Sequence, residues 1–224
     1  MVDVQRPGAQ RWLPERVPAG GTGIEELHKA AQRCRGCELW RDATQLVFSA
    51  GVASAPLMLV GEQPGDREDR VGEPFVGPAG RVLADALEAA DIAQADVYLT
   101  NAVKHFHFVE RGKRRIHATP EVGHIAACHP WLEAELAAVA PDVIVCLGAT
   151  AGRSVLGRPV RIGAERGTVL HETALNQIAP NIGGVLVTAH PSAVLRLRGR
   201  DGWDEAFDQL VHDLAVARAA AGER

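Results

Sequence analysis

The stretch GKRRIH, residues 112–117, sets three cations (Lys113, Arg114 and Arg115) one residue ahead of a lone histidine, His117. A neutral imidazole nitrogen is a good nucleophile, and neighbouring Lys and Arg suit the phosphates of an anionic polymer. The plainer alternative is a solvated bend, because loops collect cations. A second set of polar groups follows four apolar runs. LMLV leads into GEQPGD (61–66), VYLT into NAVKHFHF (101–108), VIVC into LGAT, and VLVT into AHPS (189–192). These turns carry Glu62, Gln63, Asp66, Asn101, Lys104 and His190.

The chain has four cysteines. Cys34 and Cys37 form a CxxC pair that can aim two thiolates at one metal. Cys128 falls in an expected helix and Cys146 closes an apolar run. Zinc accepts four thiolates, but its ribbons pair close CxxC motifs. One tight pair plus two distant cysteines suits a [4Fe–4S] cluster better. Scattered buried thiols are the third reading.

The elements that must position these residues follow from periodicity. Pro56–Val60, Val97–Thr100, Val143–Leu147 and Val185–Thr188 read as strands. Helical patterns are expected at about Ile24–Arg33, Ala79–Ala90, Pro120–Val139, Ala149–Leu156 and Trp203–Ala221, with Pro120 in a first turn. Near-continuous apolar strands alternating with helices predict a parallel sheet covered on both faces. In such a sheet, ligands bind beyond the carboxyl ends of the strands. That is where the polar turns would lie.

Of 224 residues, 46% are apolar and the net charge is −4, so contact with nucleic acid requires a local basic patch. Only Lys29, Lys104 and Lys113 are lysines. No run of about 18 apolar residues is present and no secretory pattern opens the chain, which gives the expectation of a cytoplasmic protein with no membrane contact. Residues 1–22 read as a loosely ordered leader and 23–221 as one domain.

Taken in order, the CxxC, GEQPGD, PFVGPAGR (74–81), TNAVKHF (100–106), the two later cysteines and HPSAVLR (190–196) resemble uracil-DNA glycosylases of the iron–sulfur type. KRRIH resembles one branch, UdgX, whose members become covalently attached to uracil-containing DNA. The resemblance covers about residues 25–218. It implies an α/β fold, a three-layer α/β/α sandwich with a short four-stranded parallel sheet. It implies a [4Fe–4S] cluster on Cys34, Cys37, Cys128 and Cys146. It also implies excision of uracil, with free uracil as product and a monomeric enzyme.

Breaking the bond between uracil N1 and sugar C1′ requires a flipped nucleotide, a reader of the base edge, and stabilisation of both fragments. On the resemblance, Asn101 would read uracil, Phe75 would stack on it, His190 would donate to a uracil oxygen, and Gln63 and Asp66 would help hold base and sugar. His117 would attack C1′ with Glu62 balancing its charge. Lys113, Arg114, Arg115, Lys104 and Arg196 would meet phosphates. Single-stranded DNA is the expected preference, since no base pair must be broken. The alternatives are a turnover glycosylase using water activated by Glu62 or Asp66, and a non-catalytic iron–sulfur DNA-binding protein.

Overall fold

Five-residue apolar runs build the centre of the sheet because each is buried on both faces. The computed structural model describes residues 8–14, 22–171 and 182–222. Its strands are β1 (Ser49–Gly51), β2 (Leu57–Gly61), β3 (Val97–Asn101), β4 (Phe108–Arg111), β5 (Arg114–His117), β6 (Val143–Leu147), β7 (Val169–Leu170) and β8 (Gly184–Thr188). The helices are α1 (Thr22–Ala31), α2 (Asp66–Val71), α3 (Pro78–Ala89), α4 (Val122–Val139), α5 (Ala149–Leu156), α6 (Ile162–Glu165), α7 (Pro191–Leu195) and α8 (Trp203–Ala221).

The main sheet has the order β1-β3-β2-β6-β8-β7. The four expected strands form its parallel centre, and β1 and β7 add antiparallel edges. Alternation along the strands divides the core in two. Leu57, Leu59, Val143, Val145 and Leu186 pack under α3 and α8. Met58, Val60, Tyr98, Ile144, Cys146 and Val187 pack under α4 and α5. The result is an α/β/α sandwich, as expected, with a sheet wider than four strands.

Three local expectations are corrected. Pro120 does not open α4: Glu121 is the N-cap, and it exchanges hydrogen bonds with His124 in a capping box. Part of the supposed leader is ordered. Residues 8–11 form a 3₁₀ turn whose Ala9 is fully buried beside Leu27 and Trp131, while residues 1–7 and 15–21 lie outside the described residues. Gly8 has φ +70°, and a Cβ there would stand 2.4 Å from the Ala127 carbonyl oxygen, so this close approach to α4 requires glycine.

Finally, GKRRIH is not a bend but half of a β-hairpin. Phe108 pairs with His117 and Arg111 with Arg114, which leaves Gly112 and Lys113 as a two-residue turn. Gly112 takes φ +61°, as the first central residue of a II′ turn requires. Pairing puts Phe108, Glu110, Arg115 and His117 on one face of the ribbon and Val109, Arg111, Arg114 and Ile116 on the other.

Candidate active site

A cleft of about 600 Å³ opens at the carboxyl ends of β2, β3, β6 and β8. Glu62, Gln63, Phe75, Asn101, His117, His190 and Arg196 all line it, so seven of the residues singled out from sequence meet in one place. Asn101 ends β3 and is 2% exposed. Gly61, beside it on β2, leaves the room that its side chain fills. A Cβ on Gly61 would stand 2.3 Å from Asn101 Oδ1 and 2.7 Å from Phe75 Cζ. Gly61 has no positive φ, so alanine there should fold normally. It should still lower activity at this cleft by about 100-fold, the scale expected for a misplacement of about 1 Å. Single-turnover rates with a matched melting curve check this.

Phe75 itself takes φ +58°, a strained conformation for a bulky residue. Two contacts hold it there. Gly80 lies so close that a Cβ would overlap the Phe75 carbonyl, and buried Glu68 accepts the Gly77 N–H at 2.7 Å.

His190 is the N-cap of α7. Its Nδ1 accepts the Ser192 N–H at 3.1 Å and lies 2.8 Å from Ser192 Oγ, so the ring proton sits on Nε2. Burial, with help from His117 and Arg196, pushes its pKa down to about 4, so it remains a neutral hydrogen-bond donor.

The Gln63 amide is oriented by backbone. Oε1 accepts the His107 N–H at 2.9 Å, and Nε2 donates to the carbonyls of His107 at 3.1 Å and Ala118 at 3.0 Å. The same Nε2 lies 2.9 Å from His117 Nε2. Glu62 Oε1 stands 3.6 Å from His117 Nε2, and Thr150 donates to the other Glu62 oxygen at 2.5 Å. Burial lowers the His117 pKa below 6.5, with His107 and Arg196 adding to the effect and Glu62 opposing it. The ring is thus neutral at neutral pH. A rate that depends on neutral His117 should stay flat as pH falls through 6.5 and decline only below it. A midpoint at or above 6.5 in a pH–rate profile would contradict this.

Four sequence-based roles change. Lys104 is not a surface cation: it is 0% exposed and paired with buried Glu135. Arg115 is held rather than free. It bonds to Asp66 and Asp69, each at 2.6 Å, and lies over the rings of Phe106 and Phe108. It clamps the hairpin to α2 and so sets the height of His117. Asp66 serves that clamp, taking Arg70 and Arg115, and is absent from the cleft lining. Gln63 holds the hairpin base with its whole amide. Lys113, Arg114 and Arg196 remain exposed.

The thiols divide three to one. Burial pushes the Cys128 pKa up to about 12; its sulfur takes the Lys104 backbone N–H and senses Cys37 and Cys34. Trp131 Nε1 donates to Cys34 Sγ at 3.2 Å. Sulfurs supplied with N–H donors are well prepared to be metal-bound thiolates. Cys146 senses none of them: its pKa is raised by burial alone, within the apolar layer under α4 and α5. Among the described residues, no three His, Cys, Asp or Glu side chains already converge at metal-binding geometry. Sequence reading missed His105, which follows Lys104 and is 6% exposed. Burial, reinforced by Arg35 of the CxxC loop, pushes its pKa down to about 4, so it keeps a free lone pair. Its place in NAVKH, one residue past Lys104, was the only signal.

A short parallel sheet with a polar cleft at its carboxyl edge describes an α/β/α fold whose strand ends form the binding site. The sequence matches the profile of the uracil DNA glycosylase superfamily over residues 48–215, and the chain belongs to that superfamily. It is 35% identical over 179 residues to a type-4 uracil-DNA glycosylase of Thermotoga maritima, covering 80% of this chain and 86% of that one. It is 36% identical over 192 residues to one of Archaeoglobus fulgidus, covering 84% and 91%. A Pyrobaculum aerophilum protein of the same description is 31% identical over 179 residues, covering 79% and 88%.

Proposed function

We propose that this chain excises uracil from DNA, single-stranded DNA by preference, and ends covalently joined through His117 to C1′ of the abasic sugar. Membership of the superfamily supports uracil excision. One observation carries the covalent step: the His117 imidazole, its pKa lowered by burial, stands with Nε2 3.6 Å from Glu62 in the cleft that also holds Asn101, Phe75 and His190.

In the reaction, Asn101 pairs with the uracil edge and Phe75 stacks on the base. The C1′–N1 bond breaks and its electron pair leaves with uracil N1, while His190 Nε2–H donates to the uracil oxygen that gains charge. C1′ meets Nε2 of His117 in its Nδ1–H tautomer, and the lone pair on Nε2 forms the new C1′–N bond. Glu62 faces the positive charge first on the sugar and then on the ring, and the ring's Nδ1 proton can pass to water. Hydrolysis would require water to expel the imidazole, so the bond persists. Exposed Lys113, Arg114 and Arg196 accompany the flanking phosphates.

The cofactor we propose is a [4Fe–4S] cluster. Cys34, Cys37 and Cys128 supply thiolates, and His105 is the fourth donor in place of Cys146. Its contribution is to fasten the CxxC loop to α4.

The turnover reading keeps Glu62 as the water activator; it loses Asp66, whose carboxylate is engaged by two arginines. Incubation with a uracil-containing oligonucleotide tests the choice. Free uracil with a species that survives boiling detergent supports the covalent reading. Free uracil in excess of protein, with no such species, supports turnover, and no uracil release would leave only a binding protein.

A further inference from the structure

We infer that Lys104 is a positioning residue for uracil recognition: its buried ammonium, balanced by Glu135, fixes the strand end that carries Asn101. The inference rests on Asn101 being the base reader proposed above. Lys104, Glu135 and Thr100 are each 0% exposed. Lys104 Nζ donates to the Asn101 carbonyl oxygen at 2.9 Å, to Thr100 Oγ1 at 2.5 Å, and to Glu135 Oε2. All three ammonium protons are thus committed. The second Glu135 oxygen accepts Tyr98 OH at 2.9 Å and Thr100 Oγ1–H at 2.8 Å. The ammonium also lies 5.1 Å from the centroid of the Phe48 ring. Meanwhile the backbone N–H of Lys104 meets the Cys128 sulfur. One residue therefore ties the end of β3 to α4 and to the thiol group.

Stability alone is a poor reason for such a pair. Replacing a buried ion pair with apolar side chains of similar volume is often neutral or stabilising, whereas removing one partner leaves a costly unpaired charge. What apolar groups cannot supply is a donor on the Asn101 carbonyl. That bond fixes the peptide between residues 101 and 102 and so the backbone turn at the Cα that carries the Asn101 side chain. The amide has little slack, since Gly61 offers no more than the space of its own missing side chain. A small rotation at residue 101 would move the amide off the uracil edge.

The test compares Lys104→Met, Glu135→Leu and the double variant by melting temperature and by calorimetric affinity for free uracil below the melting point. Each single variant should lose stability. The double variant should regain it and still bind uracil about tenfold more weakly than the parent, with the saturating single-turnover rate of uracil release falling more than the half-saturating DNA concentration rises. A double variant with parental stability and parental uracil affinity would reduce the pair to packing and overturn the inference. If the double variant does not fold, Thr100→Val, which removes one acceptor that orients the ammonium, should weaken uracil binding several-fold; unchanged affinity there would overturn the inference as well. A parent protein that neither binds nor releases uracil would overturn the proposed activity itself, an outcome separate from failure of the Lys104 role.

Discussion

Replacing His117 with serine should abolish the detergent-resistant DNA adduct, a loss of at least about 100-fold, while leaving measurable uracil release. The reason is geometric. His117 lines the cleft, half exposed, and in the proposed reaction it neither reads uracil nor donates to its oxygen. Asn101, Phe75 and His190 are held by β3, by the Gly77–Gly80 turn and by α7, and none of these supports passes through the His117 ring. Serine leaves space where the imidazole was, so water can reach C1′ and the enzyme should turn over. The hairpin should survive, because Arg115 and the Gln63 amide anchor it through other atoms. Gel analysis for the adduct and a uracil-release assay, run on one reaction, check both halves. Loss of both activities together would instead make His117 part of base removal.

The second large effect concerns iron. Cys128→Ser should empty the cluster and lose the absorbance near ~400 nm expected of thiolate-bound iron–sulfur centres. Cys146→Ser should keep nearly all of its iron. Cys128 shares its surroundings with Cys34 and Cys37, while Cys146 packs with Met58, Val60 and Leu132 in an apolar layer. His105→Ala should lower iron content substantially, where Cys146→Ser does not. Iron per protein, read alongside far-UV circular dichroism, separates cluster loss from unfolding. Equal iron loss in Cys128→Ser and Cys146→Ser would restore the four-cysteine site expected from sequence.

The central sheet was legible because its strands are buried on both faces. An apolar run such as VIVCL has few alternatives when turn residues bound it and helical patterns flank it. The polar residues after those runs were legible for the same reason: strand ends of a parallel sheet share one edge, so Glu62, Asn101 and His190 had to meet. Sequence did not disclose the partners of individual charges. Lys104 and Arg115 have the composition of a phosphate track, but whether a cation faces solvent depends on where Glu135, Asp66 and Asp69 stand after folding. Cys146 illustrates the same limit. Its place at the end of a strand gave the right element, but it packs with Met58, Val60 and Leu132 while Cys128 packs with Cys37 and Leu39, a separation that periodicity does not reveal. The hairpin was missed because four-residue strands rich in Arg carry little β signal, and only Gly112 marks the turn.

The most direct measurement is the intact mass of the protein after incubation with a uracil-containing oligonucleotide, followed by peptide mapping. The account predicts a species whose mass equals protein plus oligonucleotide minus one uracil, with the added mass located on His117. An unchanged polypeptide mass alongside released uracil, or attachment at any other residue, would contradict it.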